Sequence, residues 1–256
     1  EIDGIYVPSL YKVYYNDDGT VKEIIPQDNV RPIIKKRIIK DFDKVFYPEN
    51  FVVPFTDIVH DRISVEVLRG CIRGCRFCQA GFLYRPFREK SPETVCREAE
   101  TLCGNTGYEE ISLASLSTSD HSEIGKILTE LIPYTEKQHI NLSLPSLRVD
   151  NFSKELMDEV KKVRKSGLTF APEAGTQRLR NVINKNVTEE EVMRTCRTAF
   201  EGGYTSVKLY FMLGLPTETD EDIVGITKLA QKIVDLYYSI PGRQKGKGVQ
   251  VSISTA

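Results

Sequence analysis

Long apolar runs and an excess of one charge are both absent from this sequence of 256 residues. No apolar run approaches the roughly 18 residues of a membrane span, and the N-terminus lacks the basic, apolar and small-residue pattern of a signal peptide. The 35 Lys and Arg residues nearly balance the 36 Asp and Glu residues, so no overall field draws the chain to nucleic acid or acidic lipid. These absences predict a soluble, cytoplasmic protein without membrane contact.

Cysteine and histidine are scarce too. Six cysteines are too few for a disulfide framework in a chain of this length, which fits a reducing compartment. Three of the six nevertheless fall within eight residues, at Cys71, Cys75 and Cys78. No nearby Cys or His completes a zinc site, although a zinc site and buried core thiols remain the competing interpretations. The other three lie on apolar helix faces and are interpreted as core residues: Cys96, Cys103 and Cys196.

The first sixty residues differ in pattern from the rest. Residues 11–15 and 21–25 flank the turn 16–19 and predict a β-hairpin, which a basic stretch at residues 31–40 follows. We therefore predict an accessory segment or linker over residues 1–60 and the main domain over residues 61–256. Because the chain opens without Met and stops directly after an apolar run, we expect it to be a fragment of a longer protein.

From residue 61 onward, short β-rich runs alternate with amphipathic helices, and this alternation is typical of a parallel sheet. The pattern predicts an α/β fold of six βα repeats, the last without its helix. A partial (β/α)6 TIM-type barrel and an open wound sheet both satisfy it, since periodicity does not distinguish them. The six predicted strands are Ile63–Leu68, Glu110–Ala114, Ile140–Leu144, Leu168–Ala171, Ser206–Leu213 and Val249–Ser254.

Capping residues predict the helix limits. Ser91 and Pro92 begin the first helix and Gly104 ends it. Thr188 with Glu191 forms a capping box for a later helix. The remaining signals predict a third helix that carries Leu156, Val160 and Val163 and stops at Gly167, and a last helix capped by Thr219 and Asp222.

The three clustered cysteines form a C-x3-C-x2-C arrangement directly after the first predicted strand. Loops at the carboxyl ends of barrel strands carry the active sites of such folds. Iron–sulfur clusters usually take four thiolates, so three thiolates on a four-iron cluster leave one iron open. An open iron at a barrel mouth is a place for a chelating cofactor or substrate.

With Phe77 in its aromatic position, the motif C-x3-C-x-aromatic-C resembles the signature of the radical S-adenosylmethionine (radical SAM) superfamily. The segments 170–178 and 211–219 are similar to its motifs after strands four and five, and the resemblance covers residues 61–256. Within the superfamily these motifs most resemble the branch of methylthiotransferases and cobalamin-binding radical enzymes. The opening residues 4–9 resemble the linker after a cobalamin-binding domain in an uncharacterised bacterial subgroup.

The resemblance implies a 4Fe–4S cluster on the three cysteines and reductive cleavage of S-adenosylmethionine (SAM) to a 5′-deoxyadenosyl radical. A reductant such as flavodoxin or ferredoxin would be a partner, and cobalamin would enter only through a domain absent from this chain. The reaction would be methylation, methylthiolation or another hydrogen abstraction, with RNA or ribosomal protein as one substrate class. The basic clusters at residues 161–165 and 243–247 have two interpretations: they guide RNA to the site, or they are solvated surface residues. The alternative function is a non-catalytic electron carrier or binding scaffold.

The resemblance also implies positions for the cofactor-binding side chains. Phe77 would lie near the adenine, while Glu173 and Arg178 would contact the ribose or methionine moiety. Ser115 and Ser117 stand where the superfamily usually has Gly-Gly-Glu, and would help to hold the methionine amine. Met212 and Leu213 would place their backbone against the adenine. Lys208 and Tyr210 share one face of predicted strand five with Met212, where the lysine either points into the barrel mouth or is paired in the core. Arg148, near the end of predicted strand three, has the same two interpretations.

Overall fold

A computed structural model describes residues 2–27, 29–145, 148, 168–241, 246 and 248–256. The chain divides into two compact units, Glu1–Val45 and Phe46–Ala256. In the first unit, β1 (Tyr11–Tyr15) and β2 (Val21–Pro26) pair antiparallel, which confirms the predicted hairpin. Gly19 in the turn has a φ of 82°, a conformation that glycine adopts without a steric penalty.

The second unit contains the remaining strands, and its two larger sheets are parallel. Each has three strands, in the orders β3-β6-β7 and β10-β9-β8. A short antiparallel ribbon pairs β4 with β5. Among the described residues no backbone pairing joins the two larger sheets, so the α/β fold is confirmed in an open form. The strands are β3 (Ile63–Glu66), β4 (Leu68–Arg69), β5 (Arg88–Glu89), β6 (Glu110–Ala114), β7 (Asn141–Ser143), β8 (Leu168–Glu173), β9 (Ser206–Phe211) and β10 (Gln250–Thr255).

Six described helices connect these strands, together with a 3-10 turn at Thr118–Asp120. The predicted capping boxes at Thr188 and Thr219 are both present. Within the described residues, no helix is both long enough and apolar enough to cross a lipid bilayer. The helices are α1 (Ala80–Leu83), α2 (Pro92–Thr106), α3 (Ile124–Gln138), α4 (Gln177–Val182), α5 (Glu189–Glu201) and α6 (Asp220–Ser239).

Several predicted limits differ from the structure, most of them by one or two residues at strand ends. Helix α2 does not end at Gly104 but continues to Thr106, because the left-handed residue that stops it is Gly107, with a φ of 72°. The first predicted strand breaks after Glu66 into β3 and β4, and strand β9 ends at Phe211. The predicted third helix, with its stop at residue 167, lies outside the described residues.

The two faces of the parallel strands differ in chemistry. On one face Val65, Leu113 and Leu209 are fully buried, and they join a single hydrophobic cluster with residues of α3, α5 and α6. The alternate positions point away from these helices, because side chains alternate along a strand. That helix-free face is partly exposed and largely polar, with Ser64, Ser112, Ser143, Lys208, Tyr210 and Ser252.

Two glycines allow a backbone contact between the segment after β8 and helix α6. A Cβ atom on Gly175 would lie 2.3 Å from the backbone nitrogen of Ile226 and 2.4 Å from the carbonyl oxygen of Asp222. A Cβ atom on Gly225 would lie 2.8 Å from Cγ2 of Thr176. The start of α6 is therefore packed directly against the loop that leads into α4.

Replacing Gly175 by alanine tests this contact. The added methyl group forces two backbones apart, so Gly175→Ala is expected to lower the free energy of unfolding by about 1 to 3 kcal/mol. Gly104→Ala is the control, since no atom lies within 4 Å of its added methyl group. Because Gly104 lies inside helix α2, that change is expected to stabilise by up to about 1 kcal/mol. Urea unfolding measures both, and equal midpoints for the two variants would contradict the contact.

Candidate active site

The cysteines lie on the loop between β4 and β5, and the pairing of these two short strands closes the loop at its base. Gly70 opens it with a φ of 95°. A side chain at this position would place its Cβ 2.7 Å from the carbonyl oxygen of Tyr84 and 3.0 Å from that of Pro86. Glycine is thus required where the chain turns from β4 into the cysteine motif.

All three cysteines of the motif are free thiols, with Cys75 buried and Cys71 and Cys78 partly exposed. The backbone nitrogen of Arg73 donates to Sγ of Cys71 at 3.4 Å, and that of Cys78 donates to the carbonyl oxygen of Cys75 at 3.1 Å. In the described part of the chain, no three Cys, His, Asp or Glu side chains are placed to hold one metal ion. A 4Fe–4S cluster makes a different demand, since each thiolate binds its own iron, and a donor set of three thiols on a turn-rich loop suits it.

A distant segment holds the cysteine loop in place. The side-chain amide of Asn184 donates to the carbonyl oxygen of Gly74 at 2.7 Å. The backbone nitrogen of Arg76 donates to the carbonyl oxygen of Ile183 at 2.9 Å, and its guanidinium donates to Val182. We call this set of hydrogen bonds, between residues 74–76 and 182–184, the loop clamp.

Next to the loop clamp, Lys185 connects two of the predicted site residues. Its Nζ lies 3.0 Å from Oε1 of Glu173 and 5.8 Å from the centroid of the Phe77 ring. The side chains of Lys185 and Glu173 are 10% and 16% exposed, so water screens this ion pair only partly. The structure therefore brings Phe77 and Glu173 together through a lysine that the motif analysis did not include.

Glu173 occupies the end of β8 in a left-handed conformation, with a φ of 68°. This conformation is uncommon for a residue with a side chain and is held here by neighbouring contacts. Its carbonyl oxygen accepts a hydrogen bond from the backbone nitrogen of Met212 at 2.8 Å. Thr176, rather than Glu173, caps helix α4 by accepting from the backbone nitrogen of Leu179. Glu173 is therefore left free of a capping role at this helix.

Arg178 lies farther along the same segment and binds the protein itself. Its guanidinium pairs with the buried carboxylate of Asp222 and donates to the carbonyl oxygen of Thr217 at 2.8 Å. Burial alone raises the pKa of Asp222, but hydrogen bonds from Arg178, Thr176 and Thr219 outweigh it and lower that pKa. Arg178 thereby joins the segment after β8 to the start of helix α6.

The turn after β6 carries the two predicted serines. The hydroxyl of Ser115 lies 2.8 Å from that of Thr118 and accepts from the backbone nitrogen of Ser117, so it stabilises this turn. Ser117 is buried beside Asp120. Burial raises the pKa of Asp120, but the hydrogen bonds from Arg73 outweigh this effect and lower it. An arginine of the cysteine loop is in this way fixed to the turn after β6.

Arg148 lies on the same side of the site. Its backbone nitrogen donates to Oγ of Ser119 at 3.0 Å, and its guanidinium lies 3.4 Å from the carbonyl oxygen of Lys185. It also lowers the pKa of Asp120 through its positive charge. Arg148 therefore lies between the turn after β6 and the segment that follows α4.

The predicted residues of strand β9 fall into two groups. Lys208 and Tyr210 are exposed on the helix-free face, where Nζ of Lys208 lies 4.8 Å from the centroid of the Tyr210 ring. Met212 and Leu213 follow the strand, and the backbone nitrogen of Leu213 donates to the carbonyl oxygen of Ala256 at 2.9 Å. The first group lies below the rim of the sheet and the second lies at the rim.

A cleft of about 340 Å³ opens at the rim between β3 and β6, beside the first residues of the cysteine loop. Glu66 and Arg69 line it and form an ion pair with nitrogen–oxygen distances of 2.7 and 2.6 Å. The other lining residues are Leu68, Gly70, Tyr84, Ala114, Ser115 and Leu116. Of these residues, sequence reasoning identified Ser115 alone.

Sequence reasoning also missed Asn184, Lys185 and Asp120. The triplet Asn184-Lys185-Asn186 does carry a local signal, because Asn is the residue with a side chain that most readily adopts the left-handed conformation, and both Asn residues adopt it here. That signal predicts tight turns without indicating which loop the turns contact. The basic cluster at residues 161–165 lies outside the described residues, as does most of the cluster at residues 243–247.

Comparison with protein families adds an independent observation. Residues 65–230 match the family model described as the radical SAM superfamily. The chain belongs to the radical SAM superfamily. The matched range includes the cysteine loop and the segments after β8 and β9, which confirms the resemblance first seen in the cysteine spacing. Members of the superfamily use a 4Fe–4S cluster together with SAM.

Two relatives come from Methanocaldococcus jannaschii. An uncharacterised protein is 31% identical over 219 residues, a match that covers 86% of this chain and 47% of the relative. A putative methylthiotransferase is 24% identical over 192 residues, covering 70% of this chain and 41% of the relative. The chain thus spans less than half the length of these two curated relatives.

Among solved structures, the chain resembles TsrM from Kitasatospora setae, a radical SAM methyltransferase with cobalamin and a [4Fe-4S] cluster bound. The TM-score is 0.58 at 15% identity, and the match covers 76% of this chain and 34% of that protein. At this identity the likeness concerns the fold alone. It confirms the predicted partial TIM-type barrel, with two open sheets instead of a closed ring.

The loop clamp can be tested by replacing Asn184 with alanine. Asn184→Ala removes the hydrogen bond to Gly74, which is expected to cost about 1 kcal/mol and to loosen the cysteine loop. Asn186→Ala is the matched control, since Asn186 has a φ of 52° against 53° for Asn184 and both variants lose the same left-handed preference. Iron and sulfide per chain after anaerobic reconstitution should fall only in Asn184→Ala. Equal loading of the two variants would contradict a role of the clamp in cluster retention.

Alkylation of the cluster-free chain distinguishes motif cysteines from core cysteines. Burial raises the pKa to about 12 for Cys96 and Cys196 and to about 11 for Cys103. At pH 8, a thiol with a pKa near 12 is ionised to roughly one part in ten thousand, and the thiolate is the reactive form. Iodoacetamide should therefore label the partly exposed Cys71 and Cys78 long before these three. Denatured chain, in which all six react, is the control, and early labelling of the helix cysteines would contradict the assignment.

Proposed function

We propose that this chain is the core of a radical SAM enzyme in which Cys71, Cys75 and Cys78 hold a 4Fe–4S cluster that cleaves SAM reductively. One observation carries the proposal: the cysteine loop, Phe77, Lys185 and Glu173 meet at the carboxyl ends of the strands. A shared site at this edge is what a barrel enzyme requires. The family match supports the same chemistry.

Cys71, Cys75 and Cys78 would hold the cluster, and when bound it would supply the electron for reductive cleavage of a carbon–sulfur bond of SAM. The residues of this chain would bind and orient SAM and would shield the site from water. Phe77 offers an aromatic surface for the adenine, and the ion pair of Glu173 with Lys185 presents polar atoms to the ribose or methionine moiety. Ser115 and Ser117 belong to the turn after β6 and Arg148 contacts that turn, and in our proposal these residues would bind the methionine amine and carboxylate.

In our proposal Arg178 stabilises this site indirectly, because its guanidinium is bound to Asp222 and Thr217. It would orient the segment that carries Glu173 rather than contact SAM directly. Met212 and Leu213 follow β9 at the rim, where their backbone would lie against the adenine. No general acid or base is assigned, because radical initiation needs none.

A non-catalytic electron carrier explains these features less well. A carrier has no use for an adenosyl pocket, whereas an ion pair with 10% and 16% exposed partners, Lys185 and Glu173, stands beside the cysteine loop. Burying an ion pair costs desolvation energy, and an adenosyl pocket would use the charges that this pair places there. A scaffold role likewise leaves the left-handed Glu173 without a purpose.

The wider reaction follows from the relatives and stays a proposal. Two of the similar proteins are a putative methylthiotransferase and a cobalamin-bound methyltransferase, which supports methylation or methylthiolation. Cobalamin would reach this site from a part of a longer protein. A reductant of the flavodoxin or ferredoxin type would supply the electron in the cytoplasm.

SAM cleavage by the reconstituted chain tests the proposal. Under anaerobic conditions with dithionite, the cluster-loaded protein is expected to convert SAM to 5′-deoxyadenosine, and Cys75→Ala should lose this activity at least about 100-fold because the cluster loses a ligand. Cys103→Ala is the matched control, since it removes a buried cysteine that lies on helix α2. It should retain both cluster and activity.

The assay has two outcomes that contradict the proposal. Deoxyadenosine formation that persists in Cys75→Ala would remove the cysteine motif from the reaction. A fully loaded wild-type cluster that neither binds nor cleaves SAM would favour the electron carrier. Isothermal titration with SAM separates a failure to bind from a failure to cleave.

A further inference from the structure

Strand β9 carries a lysine in the middle of its helix-free face. Lys208 is exposed, whereas its neighbours along the strand, Val207 and Leu209, are fully buried against the helices. A charged residue at a central sheet position is unfavourable unless it is paired, solvated or used. Its surroundings therefore decide what it does.

Other charged residues on the helix-free faces have partners. Glu66 pairs with Arg69, Glu110 with Arg62, and Glu173 with Lys185. Lys208 differs, because in the described part of the chain its ammonium lies over the Tyr210 ring and pairs with no carboxylate. It is a positive charge that the described fold leaves available to a ligand.

The strands on either side place hydroxyl groups next to this charge. In the parallel register, Thr169 of β8 and Ser252 of β10 are the direct neighbours of Lys208. One step nearer the rim, Tyr210 has Ser254 beside it. An ammonium flanked by hydroxyl donors is a site that suits an anion, since each group donates a hydrogen bond to it.

We propose an anion subsite that consists of Lys208, Thr169 and Ser252 and binds the carboxylate or phosphate of a small-molecule substrate. This inference rests on the proposed function. Barrel interiors of this type are usually filled by apolar side chains, whereas this face is polar and partly exposed. The subsite thus occupies space that packing would normally take.

Its depth indicates a small substrate. Lys208 precedes the end of β9 at Phe211 by three residues, so it lies about 10 Å below the rim. A folded macromolecule bound at the rim does not reach that depth. The anionic group would anchor the substrate at Lys208, while its reacting carbon lies toward the cysteine loop.

A lysine footprint tests the subsite directly. The full chain with its reconstituted cluster is acetylated by an N-hydroxysuccinimide ester in chloride, acetate or phosphate buffer of matched ionic strength, and each lysine is quantified by mass spectrometry. If the anion binds at a concentration of about twice its Kd, acetylation of Lys208 should slow about threefold. Lys228, exposed on helix α6, is the internal control and should react equally in all buffers.

The buffers distinguish the two anion classes. Protection by acetate supports a carboxylate ligand, and protection by phosphate alone supports a phosphate ligand. Equal acetylation of Lys208 in all three buffers would overturn the subsite. So would unchanged protection in the double variant Thr169→Val with Ser252→Ala, for which Thr227→Val on the exposed side of α6 is the control.

This experiment does not depend on SAM cleavage. Protection of Lys208 in a chain that fails to cleave SAM would leave the subsite standing and remove the proposed function. Cleavage without protection would do the reverse, and would return Lys208 to the cofactor-binding role expected from its position on the strand.

Discussion

The loop clamp is the contact on which the arrangement of the site depends. In the described residues the two parallel sheets share no backbone pairing, so their hydrogen-bond ladders do not fix the cysteine loop against the second sheet. The bonds from Asn184 to Gly74 and from Arg76 to Ile183 provide that connection, across more than a hundred residues of sequence. Lys185 follows Asn184 in the sequence, and its ammonium group pairs with Glu173. The cysteine loop, the Phe77 ring and Glu173 are thus positioned by one short segment.

Local signals made most of the fold predictable. Capping boxes at Thr188 and Thr219 and the alternation of strands with helices identified elements that the structure contains, because these signals depend on neighbours a few residues apart. The end of α2 was misplaced since a glycine alone does not stop a helix. Gly107 does so because it adopts the left-handed conformation, whereas Gly104 stays helical.

The site was predictable only where a motif identified it. The three cysteines and Glu173 belong to short patterns, but Asn184, Lys185 and Asp120 act through partners 12 to 110 residues away. No periodicity records such contacts. Arg178 shows the opposite case, since the motif identified the residue while the structure shows its guanidinium bound to Asp222 and Thr217.

The glycine contact between the loop after β8 and helix α6 bears on how this protein can be altered by recombination. Gly175 and Gly225 lie fifty residues apart in the sequence, but their segments are in close backbone contact. A side chain at either position would clash with the other segment unless that segment changed as well. The two segments are therefore expected to be exchangeable only together. A chimera that takes the segment after β8 from a relative must also take the start of α6 from that relative.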